Sequence, residues 1–501
     1  MTSQEQPNIV LIMTDQQRAD SIAALSASWM QTPNLDRLVN EGVAFTNCFV
    51  TSPVCVSSRA SVFQGMYPHT TNVYTNFEKW EPTWVQWLAD ANYHCVNIGK
   101  MHINPYDAKG GFHQRFPVEN KDRPLFLEQH ERAIYDEWDK ALKARNLIKP
   151  SRYTRFENDP DAYKSSLGCF TWEIDDDMHP DNFVGNTAQW WLQERKANTP
   201  FFLQIGFPGP HPPYDPTAEY LAMYNEVDIP VGEITRAELD AQPEMHQKLR
   251  DSMVEFNIDS VAWQENPSVA DLLRLRQHYA ANVTMIDHQV GAIMDVLEQR
   301  NYLDNTVVIF CSDHADALGD HGHIQKWTMY DCVTRVPLIF HAPQHIKTAL
   351  QNDDLVQLMD IAPTILELAG IGTPDNWEAK PVTSVLINGQ WQSGPIRKHV
   401  YAELGRDHIQ SASELVIMRR GHRFKVVVYP GDDDGEFYDL EADPDEQHNL
   451  WRLTDYKQQR EQAVKEVLEW LALGTFRANR PVIQKAQTPM NINPTSEGTN
   501  D

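Results

Sequence analysis

The chain has 501 residues, and 43 Lys plus Arg against 70 Asp plus Glu leave a net charge of −27. That balance excludes the basic footprint of a nucleic-acid-binding surface and a polybasic membrane anchor. A hydrophobic fraction of 41%, with 10% aromatic residues, excludes a disordered chain. At roughly 100–200 residues per domain, two or three structural units are expected.

In chain order, the start MTSQEQPNIVLIMTDQQ lacks a basic segment, and its apolar run, residues 8–14, is too short for a signal or a membrane span. As written it reads as cytoplasmic, or as periplasmic or secreted if a leader has been trimmed. Four apolar runs then end abruptly in polar residues: IVLIMT before Asp15, CVNIG before Lys100, FFLQIGF before the Pro-rich stretch at His211, and VVIFCS before Asp313. Alternating with helical patterns, they predict a buried parallel sheet with helices on both faces. Thr32 as N-cap, Pro33 at N1 and Gly42 at C′ bracket a first helix. Residues 268–297 predict a long helix and 360–369 a shorter one. After about residue 390 the pattern changes. Residues 414–419, 424–429 and 436–440 read as antiparallel strands with PGDDDG as one turn, followed by an amphipathic helix over 455–473. The expected division is a catalytic α/β domain over 1–390, a C-terminal α+β subdomain over 391–485 and a tail over 486–501. The sequence carries no signal for an oligomeric state.

The six cysteines are scattered without a C-x-x-C pair, which argues against a disulfide framework and a zinc ribbon. Most read as buried small hydrophobes. Cys55 differs, because a helix is expected to start near Ser57 or Ser58, putting the thiol at the positive end of its dipole with Arg59 one turn away. A buried structural cysteine is the alternative.

Ligands in open α/β sheets bind beyond the carboxyl ends of the strands. The four runs deliver Asp15 and Gln16, Lys100 and His102, His211, and Asp313 and His314 to that edge. Singly, each is a strand end or a cap. Together they form a site. Asp15, Asp313 and Gln16 offer oxygens and His314 a nitrogen, a set suited to Ca²⁺, Mg²⁺ or Mn²⁺ rather than structural zinc.

The motifs resemble the sulfatase family of the alkaline-phosphatase-like superfamily. The family signature C-x-P-S-R-x-S stands here as Cys55-Val56-Ser57-Ser58-Arg59-Ala60-Ser61. The resemblance continues through PNIVLIMTDQQRAD, TPNLDRLVNEGVAFTN, GKMH at 99–102, PHPPY at 210–214, SDHADALGDHGHIQKWTMYD at 312–331 and FYDLEADPDEQHNL, in family order over residues 7–470. It implies an alkaline-phosphatase/sulfatase-like sheet sandwiched by helices, with a smaller C-terminal α+β subdomain. It also implies conversion of Cys55 to formylglycine by a maturation enzyme. One oxygen of the hydrated aldehyde attacks the sulfur of a sulfate ester, and the second is then deprotonated to expel sulfate. By resemblance, Asp15, Gln16, Asp313 and His314, with the residue at Cys55, hold a divalent metal, Ca²⁺ first and Mn²⁺ as the alternative. Arg59 holds the formylglycine, Lys100 and Lys326 bind sulfate oxygens, His102 drives elimination, and His211 lies near the leaving oxygen. A histidine poised near neutral pH suits proton delivery.

Three positions depart from the family pattern: Ser57 replaces the signature proline, Gln16 a frequent aspartate, and Gln64 a common Thr or Ser. The rival reading is a phosphonate monoester or phosphodiester hydrolase of the same superfamily. A non-catalytic sulfoglycan-binding protein is the reading if Cys55 stays unmodified. The expected substrate is a sulfated small molecule or oligosaccharide, a carbohydrate sulfate first, with an algal galactan such as carrageenan as an example. Trp327 follows Lys326 and is the best candidate for stacking on a sugar, ahead of Trp172, Trp190 and Trp191. Arg406, Asp407 and His408 follow a strand near the domain junction as candidate substrate-selecting residues, and the insert at 103–185 is expected to shape the pocket.

Overall fold

The computed structural model describes residues 6–76, 78–122, 125–127, 132–134, 136–196, 199–256, 261–346 and 349–478. The predicted tail over 486–501 lies outside the described residues.

The four apolar runs form four neighbouring strands, in the order Thr306–Ser312, Asn8–Asp15, Phe201–Pro210 and His94–Gly99, all parallel. They are buried on both faces. Ile9, Leu11 and Met13 pack into one core layer with Phe202 and Val307, while Val10 and Ile12 pack into the other with Leu203 and Ile205. Helices cover both sides, which is why these strands read as continuous apolar runs rather than alternating ones. The helix Val269–Gln299 covers one face together with Pro180–Glu194, and Cys55–Gln64 lies in the opposite layer. Ser268 caps the long helix and Asp271 returns the bond in a capping box.

Among the described residues the sheet as a whole has eight strands and is mixed, with the four expected parallel strands as neighbours within it. Leu338–His341 runs antiparallel to Thr306–Ser312. The chain leaves that strand at the site edge, loops through residues 313–334 and returns from the same edge, so no crossover reverses it. The predicted first helix forms as Pro33–Glu41, but Gly42 is not a left-handed cap: its φ is −120°. Glycine is required there because a Cβ would lie 2.3 Å from the Phe340 carbonyl oxygen.

The C-terminal strands Val400–Gly405, Leu415–Arg420, Phe424–Val428 and Gly435–Asp439 form an antiparallel sheet. Val416, Met418 and Val427 face the main core, whereas Ile417, Val426 and Phe437 face Ala463 and Val467 of the helix Lys457–Ala478. Among the described residues no helix is long and apolar enough to cross a membrane. All six cysteines are free, five of them buried and Cys332 half-buried.

Candidate active site

The four strand ends are stitched together by their own backbones. The amide of Asp313 donates to the Thr14 carbonyl, that of His211 to Asp15 and that of Lys100 to Gly206. The last contact depends on Gly206, where a Cβ would stand 1.9 Å from the Lys100 carbonyl oxygen. The helix expected to begin near Ser57 starts at Cys55, with Val54 as N-cap and no side-chain cap. Cys55 is therefore in the first turn, at the positive helix end.

Asp15, Cys55, Asp313 and His314 each offer one ligand atom, all within 4.8 Å of one another and all buried. Cys55 Sγ lies 3.0 Å from His314 Nε2 and 3.0 Å from Lys326 Nζ, and it donates to Asp15 Oδ1 at 3.6 Å. His314 Nδ1 donates to the Ala315 carbonyl at 3.0 Å, which leaves the Nε2 lone pair for the cluster. Lys100 Nζ pairs with Asp15 Oδ2. Arg59 Nε donates to Asp313 Oδ2 at 2.7 Å and Nη1 to the Lys100 carbonyl at 3.0 Å, while its buried Nη2 makes no hydrogen bond. Lys326 Nζ is 3.5 Å from His211 Nε2, and His211 Nδ1 donates to the Pro212 carbonyl at 2.7 Å.

The electrostatics follow from that packing. Burial and Asp15 push the Cys55 thiol up, but Lys326, Lys100 and His314 outweigh them and bring it down to about 6. Burial raises Asp15, yet Lys100, His211, Arg59 and His314 hold it well below the usual carboxylate range. Burial and then Lys100 lower His102 to about 3. The ring is neutral at pH 7, and its Nδ1 has no hydrogen-bond partner.

The donor set also fits a divalent cation. Gln16 is fully buried and its Oε1 has no hydrogen-bond partner, an orphan acceptor on a residue whose backbone amide donates to the cluster residue Asp313. Asp15, Gln16, Asp313 and His314 are the residues that would hold it.

Above the cluster a cavity of about 130 Å³ is lined by Cys55, His102, His211, Lys326, Trp327 and His408, with Val54, Thr75, Asn76 and Asp407 completing the wall. Trp327 Nε1 donates to Asp407 Oδ2 at 3.0 Å. Arg406, expected at the substrate, instead pairs with Glu414 and is 54% exposed outside the cavity. Trp172 and Trp191 are core residues, and Trp190 is exposed against Phe116. No described residue of the 103–185 insert lines the cavity. Its contribution is indirect, through Glu119 Oε2, which accepts from the His102 amide at 2.9 Å.

Sequence reasoning missed Thr75 and Asn76, which follow no strand and carry no motif. It also missed that four non-glycine residues here adopt left-handed backbone: Gln16, His102, Gln325 and Trp327, with φ of 72°, 62°, 62° and 72°. Such strain is characteristic of functional sites and leaves no trace in residue type.

The sulfatase family profile matches residues 7–371. The chain belongs to the sulfatase family. A second profile, described as N-sulphoglucosamine sulphohydrolase, C-terminal, matches residues 319–472. This sulfatase is 30% identical to the arylsulfatase of Clostridium perfringens, over 90% of this chain and 92% of that relative. Its fold is similar to a phosphonate monoester hydrolase of Agrobacterium radiobacter, with a TM-score of 0.77 and 23% identity over 93% of this chain and 96% of that one. It is also similar to a protein solved with its substrate D-glucosamine-2-N,6-O-disulfate, with a TM-score of 0.69 and 22% identity over 96% and 100% of the two chains. As a family member, the protein is a sulfuric ester hydrolase.

Proposed function

We propose that this sulfatase hydrolyses the sulfate ester of a carbohydrate at the edge of its parallel sheet, with residue 55 as the reacting position. The observation that carries the reading is the position of Cys55 Sγ, at a helix N-terminus and 3.0 Å from both Lys326 Nζ and His314 Nε2. Calcium is the cation we propose, with manganese the alternative, since the donors are hard oxygens and one imidazole. When present, the cation supplies Lewis-acid polarisation, and Cys55 converted to formylglycine supplies a hydrated-aldehyde nucleophile.

The chain's own residues do the rest. Lys326, Lys100 and Arg59 gather three cations where the non-bridging sulfate oxygens gain charge, and fixed donors in a buried site stabilise such charge strongly. His211 keeps its Nδ1 proton on the Pro212 carbonyl, so Nε2, facing Lys326, accepts in the neutral ring and passes a proton to a leaving oxygen only from the imidazolium, which carries a second proton there. His102 presents a neutral ring with an unpaired Nδ1, suited to accepting a proton. Trp327 offers an aromatic wall for a sugar face.

Maturation is tested by intact mass. Conversion of the Cys55 thiol to an aldehyde removes roughly 18 Da before hydration. An unmodified mass throughout would favour a non-catalytic sulfoglycan-binding protein, and Ser57 in place of proline makes the choice of maturation enzyme part of that measurement. The phosphonate monoester or phosphodiester hydrolase reading is favoured by the Asp15-Gln16 pair and by the fold similarity above. Turnover of an aryl sulfate against an aryl phosphodiester at equal enzyme separates the two. A desulfation screen over defined oligosaccharides, carrageenan-type galactans included, then tests the substrate class.

A further inference from the structure

One buried carboxylate outside the proposed ligand set touches both halves of the site. Asp316 is fully buried. Its Oδ2 accepts from Gln16 Nε2 at 2.6 Å and from the Tyr214 hydroxyl at 2.7 Å. Its Oδ1 accepts from the amides of Leu318 and Gln325, both at 2.9 Å, and Gln325 precedes Lys326. An ionised carboxylate offers about four lone-pair directions, so these four donors saturate it.

The consequence for Gln16 is directional. A carboxylate accepts and cannot donate, so the amide NH₂ must face Asp316. The Gln16 backbone is pinned as well: its amide donates to Asp313 Oδ1 at 3.1 Å, and its carbonyl accepts from the Tyr279 hydroxyl at 2.8 Å. With the backbone fixed and the NH₂ committed, Oε1 is the one atom of the amide left open, and it has no partner. We infer that Asp316 is a positioning residue that fixes the polarity of the Gln16 amide, presenting its oxygen to the cation. The same contact explains why an amide stands at position 16. A second carboxylate there would meet Asp316 oxygen to oxygen in a buried setting, a repulsion that low dielectric magnifies. Reliance on Asp316 presupposes that Gln16 is a cation ligand, as proposed above.

The test is a polarity swap, read by calorimetric titration of Mn²⁺ into chelator-stripped full-length protein, with circular dichroism to check the fold. Asp316→Asn keeps one oxygen for the Leu318 and Gln325 amides and turns an NH₂ toward position 16. The Gln16 oxygen must then face Asn, and its NH₂ faces the cation. Mn²⁺ binding should weaken tenfold or more, the range expected when an outer partner of a ligand is lost. Adding Gln16→Glu should restore affinity to within about threefold, because Asn at 316 donates to one Glu oxygen and leaves the other open. Affinity unchanged in Asp316→Asn, or a double variant that binds no better than Asp316→Asn, overturns the inference alone. A wild-type protein that binds no Mn²⁺ overturns the cation-site reading beneath it. Should Asp316→Asn fail to fold, the metal-free melting temperatures decide. Gln16→Glu alone should melt several degrees below the double variant, and equal or reversed melting temperatures overturn the inference.

Discussion

In the eight-stranded sheet, four neighbouring parallel strands end at one edge, so the residue after each apolar run arrives at the same place. Asp15, Lys100, His211 and Asp313 all do so, and their backbone bonds hold the edge in register. In the four-stranded sheet the neighbours are antiparallel, so successive strands end on opposite sides. Only the turn between Val400–Gly405 and Leu415–Arg420 reaches the cavity, and its residues diverge. Asp407 and His408 line the wall, while Arg406 turns out to Glu414. Parallel packing therefore concentrates chemistry at predictable positions, whereas the antiparallel unit lends a single loop whose side chains choose their sides one by one.

Four substitutions would break or sharpen that contrast. Cys55→Ala should abolish turnover with the far-UV spectrum unchanged, and wild-type-like turnover would falsify the parallel edge as the reacting centre. Lys326→Ala, which removes the amine 3.0 Å from Cys55, should lower kcat/KM by about 10²–10³, the usual cost of one preorganised donor. A loss confined to KM would reduce Lys326 to a binding residue. For the antiparallel unit the effects should be smaller. Asp407 accepts from Trp327 Nε1 and caps the amides of Ile409 and Gln410 at 2.7 and 2.6 Å, so Asp407→Ala should cost about tenfold in kcat/KM, mostly through KM. A change in kcat alone would put Asp407 in the reaction rather than in the wall. Arg406→Ala should stay within about twofold in steady-state kinetics, since an exposed ion pair contributes little. A tenfold loss there would return Arg406 to the substrate.

The residues at the sheet edge were legible because a strand that ends in a polar residue advertises its own edge. The signature around Cys55 was legible because a thiol, an arginine and a helix start share a few consecutive positions. Other features were not. Asp316 lay within a recognised motif, yet its job is to receive donors from Gln16, Tyr214, Leu318 and Gln325, of which Gln16 is 300 positions away and Tyr214 is 102. The positive φ at Gln16, His102, Gln325 and Trp327 is likewise imposed by surroundings rather than by residue type. The lowering of His102 by burial and then by Lys100 is also invisible before the chain has packed.

The bulk charge of −27 is a property of the sequence, and so is the family chemistry carried by contiguous motifs. An acidic protein acting on an anion needs local compensation, which the sequence supplied as candidates and only the fold assembled. Arg59 on the helix Cys55–Gln64, Lys100 after a strand end and Lys326 in the loop beyond Thr306–Ser312 come from three separate segments and meet only in the folded chain. Local pattern determines what each segment is. Which groups desolvate, pair or stay open is decided by distance and burial, and those exist only after the chain has packed.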